Sequence, residues 1–399
     1  MKEIYQKKAV LYCGGFILPD KNAAAHRVLA NGKILKKMGY EVFFNGVYLN
    51  NVDVEIENET YNGFHFFSDH YPRAFPEWVR YLTSIENQKI LIKKIKESYK
   101  IDFLIAYNFP SIALNRLRIF CKSHNIKIIS DCTEWESVPF KNPVKFLIKS
   151  FDTFYRMRIV HQKLDGLIVI SSYLRKFYLK NVKEILMIPP LVDKNESKWS
   201  LPSNFNKNEI VFCYAGSPSL KKDKVGLVVD AFSKFCLDSK VVSKLRIVGI
   251  SKKEYIRMFN PKGIDSSVER KIKFLGRISH IQSIKEVSNA NFSIFFRDNT
   301  RKNNAGFPTK FVESISSGTP VITNNTSDLS EYMSKSEFGF MLRNKDIKTI
   351  VANLNYISKI EIDKIFNMKD VCYKSNLFHY EKYFNRFQFF ISQVLSKST

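Results

Sequence analysis

The chain has 399 residues, of which 45% are apolar, and its formal net charge is +25. This length exceeds what one hydrophobic core usually supports, so a single small domain is excluded and two domains are expected. Six cysteines without CxxC spacing argue against a disulfide or zinc framework, and no apolar run approaches the roughly 20 residues of a transmembrane helix, which favours a cytoplasmic protein.

The first half of the chain alternates predicted strands with predicted helices. Short apolar runs indicate buried strands, and longer runs with helical spacing indicate helices. The predicted strands are 8–13, 41–46, 102–108, 127–130, 166–170 and the start of 185–193, and the predicted helices are 22–38, 88–100, 111–123, 143–164 and 172–180. This alternation implies right-handed crossovers between parallel strands.

A second alternating series follows the polar segment after Pro189 and Pro190, which is the best linker in the chain. Its predicted strands are 210–216, 245–249, 272–276, 292–296 and 320–323, and its predicted helices are 223–238, 280–289 and 309–317. Strands that are nearly all apolar are covered on both faces. We therefore predict an α/β protein with two doubly wound domains, 1–190 and 191–374, facing across a cleft, and a final helix in 375–399 that packs on the first.

Ligands of open parallel sheets bind beyond the carboxyl ends of the strands, so site residues are expected in the loops there. Gly14 and Gly15 follow the first strand and allow close approach of backbone to a phosphate or a sugar, but the spacing is not that of a nicotinamide dinucleotide site. Arg27 on the next helix either contacts the same ligand or is a solvated arginine. Ser217 and Lys222 precede a helix predicted to begin near residue 223, a position that suits a diphosphate.

The later loops add further candidates. Gly276 and Arg277 end a strand where backbone can pair with a nucleobase, and Arg297 precedes the stretch GFPTKFVESISSGTPVIT. Lys310 and Glu313 of that stretch lie on one face at the start of a short helix. The helix N-terminus stabilises a carboxylate by about 0.3–1 kcal/mol, which is a structural explanation for Glu313. A carboxylate is also the acceptor that a ribose diol needs, and an ammonium can neutralise a phosphate.

This stretch resembles the donor-binding segment of bacterial family 4 glycosyltransferases, retaining enzymes of the GT-B fold. The family pattern runs Pro-x-Lys-x-x-Glu and then Gly-x-Pro-Val-Ile. Looser matches follow in the family's order over nearly the whole chain: GG at 14–15, SDCTEW at 130–135, DGLIVISSYL at 165–174, IPPLVD at 188–193, YAGSPSLKKD at 214–223 and FLGRIS at 274–279.

The resemblance implies roles for individual residues. Glu313 binds the donor ribose, Lys310 lies near the diphosphate or sugar, and Asp131 either positions a substrate or merely caps its strand; these three are the candidate catalytic residues. The implied donor contacts are Gly14, Gly15, Ser217, Lys222, Gly276, Arg277, Gly306, Phe307, Pro308 and Thr309. The possible phosphate or acceptor contacts are Arg27, Glu134 and Arg297. Ala305 stands where many members have a second glutamate, and no side chain is identified that replaces it.

The expected reaction transfers a hexose from a nucleoside diphosphate sugar, UDP or GDP first, to an acceptor hydroxyl with retention. No cofactor or metal is expected, since the chain lacks an Asp-x-Asp triplet. Segments 64–82 and 140–158 mix aromatic with basic residues, which suits either domain packing or peripheral contact with anionic lipid. With lipid contact, the acceptor is a glycan on a polyprenyl carrier at the inner face of the plasma membrane, in capsule or O-antigen assembly.

Two other classes of protein remain open. A nucleotide-sugar 2-epimerase also uses paired domains of this kind, and it would release an altered sugar nucleotide without an acceptor. A nucleic-acid-binding protein could use the positive charge, but the chain shows neither a recognised binding module nor a compact basic stripe, so no nucleic-acid partner is expected.

Overall fold

The computed structural model describes residues 6–19, 22–48, 59–61, 63–136, 143–200, 209–218, 223–261, 263–334 and 337–396. The chain forms two compact units, Met1–Leu191 with Tyr380–Thr399, and Val192–His379. All six cysteines are buried and free. Within the described ranges, no helix is long and apolar enough to cross a bilayer.

The first unit contains an eight-stranded sheet in the order β3-β4-β2-β1-β5-β6-β7-β8. Only β3 runs antiparallel to its neighbour, β4. The strands are β1 (Lys8–Gly14), β2 (Glu41–Tyr48), β3 (Glu59–Tyr61), β4 (Phe64–His70), β5 (Lys100–Tyr107), β6 (Lys127–Cys132), β7 (Gly166–Val169) and β8 (Ile185–Met187). The strand order reverses between β1 and β5, so loops after these two strands diverge and leave space for a ligand.

The described residues of the same half of the chain form six α-helices. They are α1 (Ala23–Lys37), α2 (Phe75–Thr83), α3 (Glu86–Lys96), α4 (Ser111–Ser123), α5 (Pro143–Tyr155) and α6 (Ser172–Tyr178). A π-helical turn and a 3-10 turn, Arg156–Val160 and His161–Lys163, extend α5. The helix predicted at 88–100 was placed too far along the chain, because Lys100 already begins β5.

The strand β4 covers the first part of segment 64–82, for which the sequence left domain packing and lipid contact both open. Its Phe64 and Phe67 are buried in the first unit, and β4 pairs with β2 from Phe43↔His65 to Tyr48↔His70. Packing therefore explains the aromatic residues of this strand. The other segment, 140–158, begins with three residues outside the described ranges and continues as α5.

The second unit contains a six-stranded, all-parallel sheet in the order β11-β10-β9-β12-β13-β14. Its strands are β9 (Ile210–Ala215), β10 (Ser243–Val248), β11 (Ile272–Gly276), β12 (Phe292–Ile294), β13 (Val321–Asn324) and β14 (Gly339–Leu342). Its helices are α7 (Val225–Asp238), α8 (Lys252–Phe259), α9 (Ser266–Glu269), α10 (His280–Ser288), α11 (Arg301–Ala305), α12 (Thr309–Ser316), α13 (Leu329–Met333), α14 (Ile347–Ile357) and α15 (Ile362–Lys374). The strand order reverses between β9 and β12.

The last helix, α16 (Phe384–Ser396), packs into the core of the first unit. Phe387, Phe390 and Val394 belong to the same buried cluster as residues of β1 and β2. A Cβ atom on Gly166 of β7 would approach Phe390 Cζ and Val394 Cγ2 to 2.8 Å, so the glycine lets the helix lie close to the strand. The aromatic residues of the C-terminal segment thus serve packing.

We expect Phe387→Ala to lower the free energy of unfolding by about 3–5 kcal/mol, because it leaves a cavity in a fully buried cluster. Phe389→Ala on the same helix is the matched control, since Phe389 is 67% exposed and its removal leaves no cavity. Chemical denaturation of both variants measures the difference. Equal losses of stability would show that α16 does not depend on its buried face.

Candidate active site

The second unit brings charged side chains together where its strand order reverses. Asp223 follows β9, Arg297 follows β12, and Lys310 lies in the first turn of α12. Because all strands of this sheet are parallel, these residues meet at its carboxyl edge. Asn324, at the end of β13, fixes the backbone of Arg297. The Asn324 side chain accepts a hydrogen bond from the backbone N–H of Arg297 at 2.9 Å and donates one to the carbonyl of Arg297 at 2.9 Å.

One carboxylate holds two cations in this cluster. Arg297 Nε donates to Asp223 Oδ1 at 2.7 Å, and Lys310 Nζ donates to Asp223 Oδ2 at 2.8 Å. The side chains of Asp223, Arg297 and Lys310 are 2%, 5% and 10% exposed. The cluster carries one net positive charge in a largely desolvated place, which suits an anionic ligand that reaches Lys310.

The electrostatics follow from this arrangement. Burial alone would raise the pKa of Asp223, but Lys310 and Arg297 outweigh it and lower that pKa to about 2. Burial lowers the pKa of Lys310, and the charge of Asp223 opposes that shift. The helix predicted to begin near residue 223 begins at Val225, since Asp223 binds these cations from the preceding loop.

Gly216 allows Lys310 to reach this position. It follows β9 with φ +136°, and a Cβ atom there would lie 2.2 Å from Lys310 Nζ. The ammonium also lies 5.2 Å from the centroid of the Tyr214 ring, whose hydroxyl donates to Asp223 at 3.4 Å. Because Gly216 has no side chain, the side chain of Lys310 can extend past it to Asp223.

Glu313 lies one turn after Lys310 and contacts α10. Its Oε1 is 3.3 Å from His280 Nε2, and both side chains are partly exposed. The Trp199 ring lies 6.3 Å from that of His280 at 77°. A histidine can donate to the carboxylate and hold it in place, so the carboxylate is oriented before any ligand arrives.

The remaining predicted donor residues occupy varied environments. Ser217 is exposed, and the side chain of Arg277 is 79% exposed beside Gly276. Phe307 is buried among aromatic rings, so only its backbone is placed to contact a ligand. Gly306, Pro308 and Thr309 lead into α12, and Pro308 immediately precedes its first residue. Lys222 lies outside the described residues, and Ala305 is fully buried at the end of α11.

The first unit holds Asp131 and Arg27 in a buried ion pair. Arg27 Nη2 donates to Asp131 Oδ1 at 2.8 Å, and Tyr12 Oη donates to Oδ2 at 2.5 Å. Arg27 Nη1 donates to the carbonyls of Ile188 and Pro189. Burial, and secondarily the charge of Asp131, raise the pKa of Tyr12. Arg27 is therefore buried and ion-paired rather than a solvated arginine, and Arg27 and Tyr12 both bind the Asp131 carboxylate.

A separate pocket of about 780 Å³ opens at the carboxyl ends of β1, β2 and β4. Gly14 lies in its wall, and a Cβ atom there would lie 2.3 Å from the Tyr107 carbonyl oxygen, so only glycine fits against β5. Gly15 is half-buried, and a Cβ atom built on it would lie 3.4 Å from the Tyr81 hydroxyl. Glu134, after β6, is half-buried and is not part of the pocket lining described.

Amide side chains orient a carboxylate in this pocket. Asn45 Nδ2 donates to Asp69 Oδ2 at 3.2 Å, and Asn87 Nδ2 donates to Asp69 Oδ1 at 2.8 Å. Gln88 in turn donates to Asn45 Oδ1 at 2.7 Å. Burial raises the pKa of Asp69, and the two amide donors oppose that rise. A carboxylate oxygen accepts more than one hydrogen bond, so Asp69 can also receive ligand hydroxyls.

Sequence reasoning missed Asp223, His280 and the Asp69 network. Asp223 could have been found from the sequence, because it lies after a predicted strand of the second series and at the start of a predicted helix. That position is at the same edge of the sheet as Lys310. His280 follows the loop FLGRIS at the first position of α10, which is a comparable signal. Asp69 gave none, since β4 was not predicted.

The chain is similar to known proteins in both sequence and fold. Residues 195–372 match the family described as glycosyl transferases group 1. Sucrose-phosphate synthase from Thermosynechococcus elongatus superposes with a TM-score of 0.68 at 14% identity, over 98% of this chain and 100% of that one. The catalytic domain of starch synthase IV from Arabidopsis thaliana, bound to ADP and acarbose, gives 0.68 at 10% identity over the same shares. HepE of Anabaena, in complex with UDP and glucose, gives 0.66 at 12%, over 96% and 99%.

No curated protein matches the sequence significantly. The α/β fold with two parallel-sheet units is that of GT-B glycosyltransferases, as predicted. Together with the matched domain at 195–372, it identifies the chain as an enzyme, a glycosyltransferase.

We expect Gly216→Ala to lower the free energy of unfolding by about 1–3 kcal/mol more than Gly263→Ala, since the added methyl displaces Lys310 from Asp223. Both glycines have positive φ, and a Cβ atom on Gly263 meets nothing within 4 Å, so the control has a strained backbone without the contact. Chemical denaturation measures both. Equal costs would show that Lys310 tolerates the methyl group.

The stability contributed by Asp223 depends on pH. Its folded pKa of about 2 lies below the ordinary 3.8, so the ionised carboxylate stabilises the fold above about pH 4. That contribution, about 2 kcal/mol, is lost as the pH falls toward the folded pKa.

We expect Asp223→Asn to be less stable than wild type at neutral pH and the difference to shrink in acid. Asp370→Asn, which removes an exposed pair with Lys374, is the control. A difference independent of pH would contradict the assignment.

Proposed function

We propose that the protein transfers a hexose from a nucleoside diphosphate sugar to an acceptor hydroxyl, with retention of the anomeric configuration. The observation that carries this proposal is the cluster of Asp223, Lys310 and Arg297 at the point of strand reversal, with Glu313 one turn away on α12. Two proteins of the same fold are described with ADP or with UDP bound, which supports a nucleoside diphosphate as the leaving group.

In this proposal the donor lies along the carboxyl edge of the second sheet. Its diphosphate binds beside Lys310 and Gly216, its ribose diol donates to Glu313, and its base meets the backbone at Gly276 and Arg277. Arg297 contributes through Asp223 by fixing where Lys310 can extend. The first turn of α12 adds backbone N–H groups and a positive dipole end near the phosphates.

Catalysis in this arrangement rests on charge placed in advance. As the bond between sugar and phosphate breaks, negative charge grows on the diphosphate, where Lys310 and the start of α12 stabilise it. Ala305 stands where many family 4 members have a second glutamate. In the absence of that carboxylate, the backbone of residues 306–309 holds the sugar.

The pocket of the first unit is proposed for the acceptor. Asp69 presents a carboxylate to hydroxyl groups, while Arg73 and Arg80 line the same pocket and suit an anionic group on the acceptor. An acceptor glycan joined to a polyprenyl carrier through phosphate carries both kinds of group. Such an acceptor places the enzyme in surface polysaccharide assembly, such as that of capsule or O-antigen, with peripheral contact at the inner membrane face.

Thermal-shift screening with UDP-, GDP-, ADP- and dTDP-sugars tests the donor, since a ligand of the folded state raises its apparent stability. For the sugar nucleotide with the largest shift, we expect Lys310→Met to weaken binding about tenfold or more, through the loss of a charge-assisted contact. Lys244→Met is the control, because this lysine is exposed and lies on β10 away from the cluster.

The products decide the reaction type. NMR of the glycosylated acceptor is expected to show the anomeric configuration of the donor, and an inverted centre would overturn the retaining assignment. Release of an altered sugar nucleotide without acceptor would instead support a 2-epimerase. Unchanged affinity in Lys310→Met would remove the proposed donor site.

A further inference from the structure

Two neighbouring helices of the first unit expose large apolar side chains to solvent. None of the described residues of α2 is buried, and only Asp152 and Thr153 of α5 are. We define the α2–α5 face by its exposed apolar residues, each between 45% and 67% exposed: Phe75, Val79, Val144, Leu147, Phe151 and Phe154. Neither the sheet nor the buried core uses these side chains, so internal packing does not explain them.

The two helices are in contact through one side chain. Lys149 of α5 lies with its Nζ 5.9 Å from the centroid of the Trp78 ring on α2, and the same ammonium is 3.1 Å from Glu136 Oε2. Within α5 the residues Val144, Leu147, Phe151 and Phe154 recur every three or four positions, which places them along one side of the helix. These four residues therefore form an apolar stripe along α5, and Phe75 and Val79 add exposed apolar side chains on α2.

Positive charge borders this surface. Lys145 and Arg158 are exposed at either end of α5 and its extension. The carboxylate of Asp152 is buried and lies 3.6 Å from Arg156 Nη1, so it does not offset the exposed cations. Exposed Glu77 is the acidic side chain that α2 contributes. Apolar side chains bordered by lysine and arginine are the pattern of a helix lying in the interface of an anionic bilayer.

The same helix α2 also forms a wall of the pocket. Glu77, Arg80, Tyr81 and Ser84 line the pocket, whereas Phe75 and Val79 belong to the α2–α5 face. A helix with its side chains is about 10 Å across. A surface that contacts the face therefore lies within about one helix diameter of the pocket mouth.

We propose that the α2–α5 face seats the protein on an anionic lipid surface. The consequence for the reaction, which rests on the proposed function, is that the head of a lipid-linked acceptor enters the pocket past α2 without leaving the membrane. A second copy of the chain is a poorer occupant, because pairing two such faces brings their basic borders together and like charges repel.

Co-sedimentation with phosphatidylcholine vesicles, with and without phosphatidylglycerol, tests the docking. We expect binding to the anionic vesicles that weakens with salt, and a loss of about tenfold or more in Leu147→Ser/Phe151→Ser, which removes two apolar anchors. Phe389→Ser is the matched control, since it removes a comparably exposed aromatic residue from α16. Lys145→Gln/Arg158→Gln should lower binding to anionic vesicles and leave the apolar face intact.

Three outcomes would overturn the proposal: negligible binding of the wild type to both vesicles, equal binding by the apolar variant, or a dimer in light scattering that the apolar variant abolishes. Thermal shifts with the sugar nucleotide keep the two proposals distinguishable. A variant that loses vesicle binding but keeps its thermal shift supports docking as a separate property. A wild type that binds the nucleotide but not vesicles removes docking alone.

Discussion

The carboxylate of Asp223 joins three separate stretches of the second unit, and the geometry of the candidate donor site depends on it. Lys310 and Arg297 both bind Asp223, and the two cations would repel each other without this shared anion. Both are largely removed from water. Desolvating three charges is costly, and removing one partner of such a cluster typically costs about 3–5 kcal/mol because the others stay buried. The cluster therefore fixes α12 against the ends of β9 and β12.

The first unit also contains a buried ion pair, but this pair suits a structural role. Arg27 and Asp131 tie α1 to β6, and Arg27 also donates to carbonyls after β8. Their side chains are 3% and 0% exposed, and the guanidinium donates from all three of its nitrogens. Lys310 is more exposed, and its hydrogen bond to Asp223 uses one of three ammonium donors. The arginine pair suits a rigid support, and the lysine suits contact with a ligand.

Much of the fold was predictable from the sequence, because buried parallel strands are read as short apolar runs. The helices 111–123 and 309–317 were placed correctly or to within one residue, since each has clear limits such as Pro110 or Gly318. The strands β3 and β4 were missed, because FHFFSDH alternates weakly and β4 exposes part of its surface. Lys310 and Glu313 were found through their motif, but their partners Asp223 and His280 lie in distant parts of the chain, and spacing along the chain does not relate them.

Net charge is a weaker guide to the ligand than the arrangement of a few groups. Of the +25 carried by the chain, the donor cluster accounts for one net charge, because Asp223 offsets one of two cations. Exposed cations such as Lys145 attract anions over about 8 Å at physiological ionic strength and lose that effect as salt rises. The buried cluster is screened far less, since little water or salt reaches it. Selectivity for a diphosphate therefore comes from the few desolvated groups, whereas the surplus surface charge gives a general attraction to anionic surfaces.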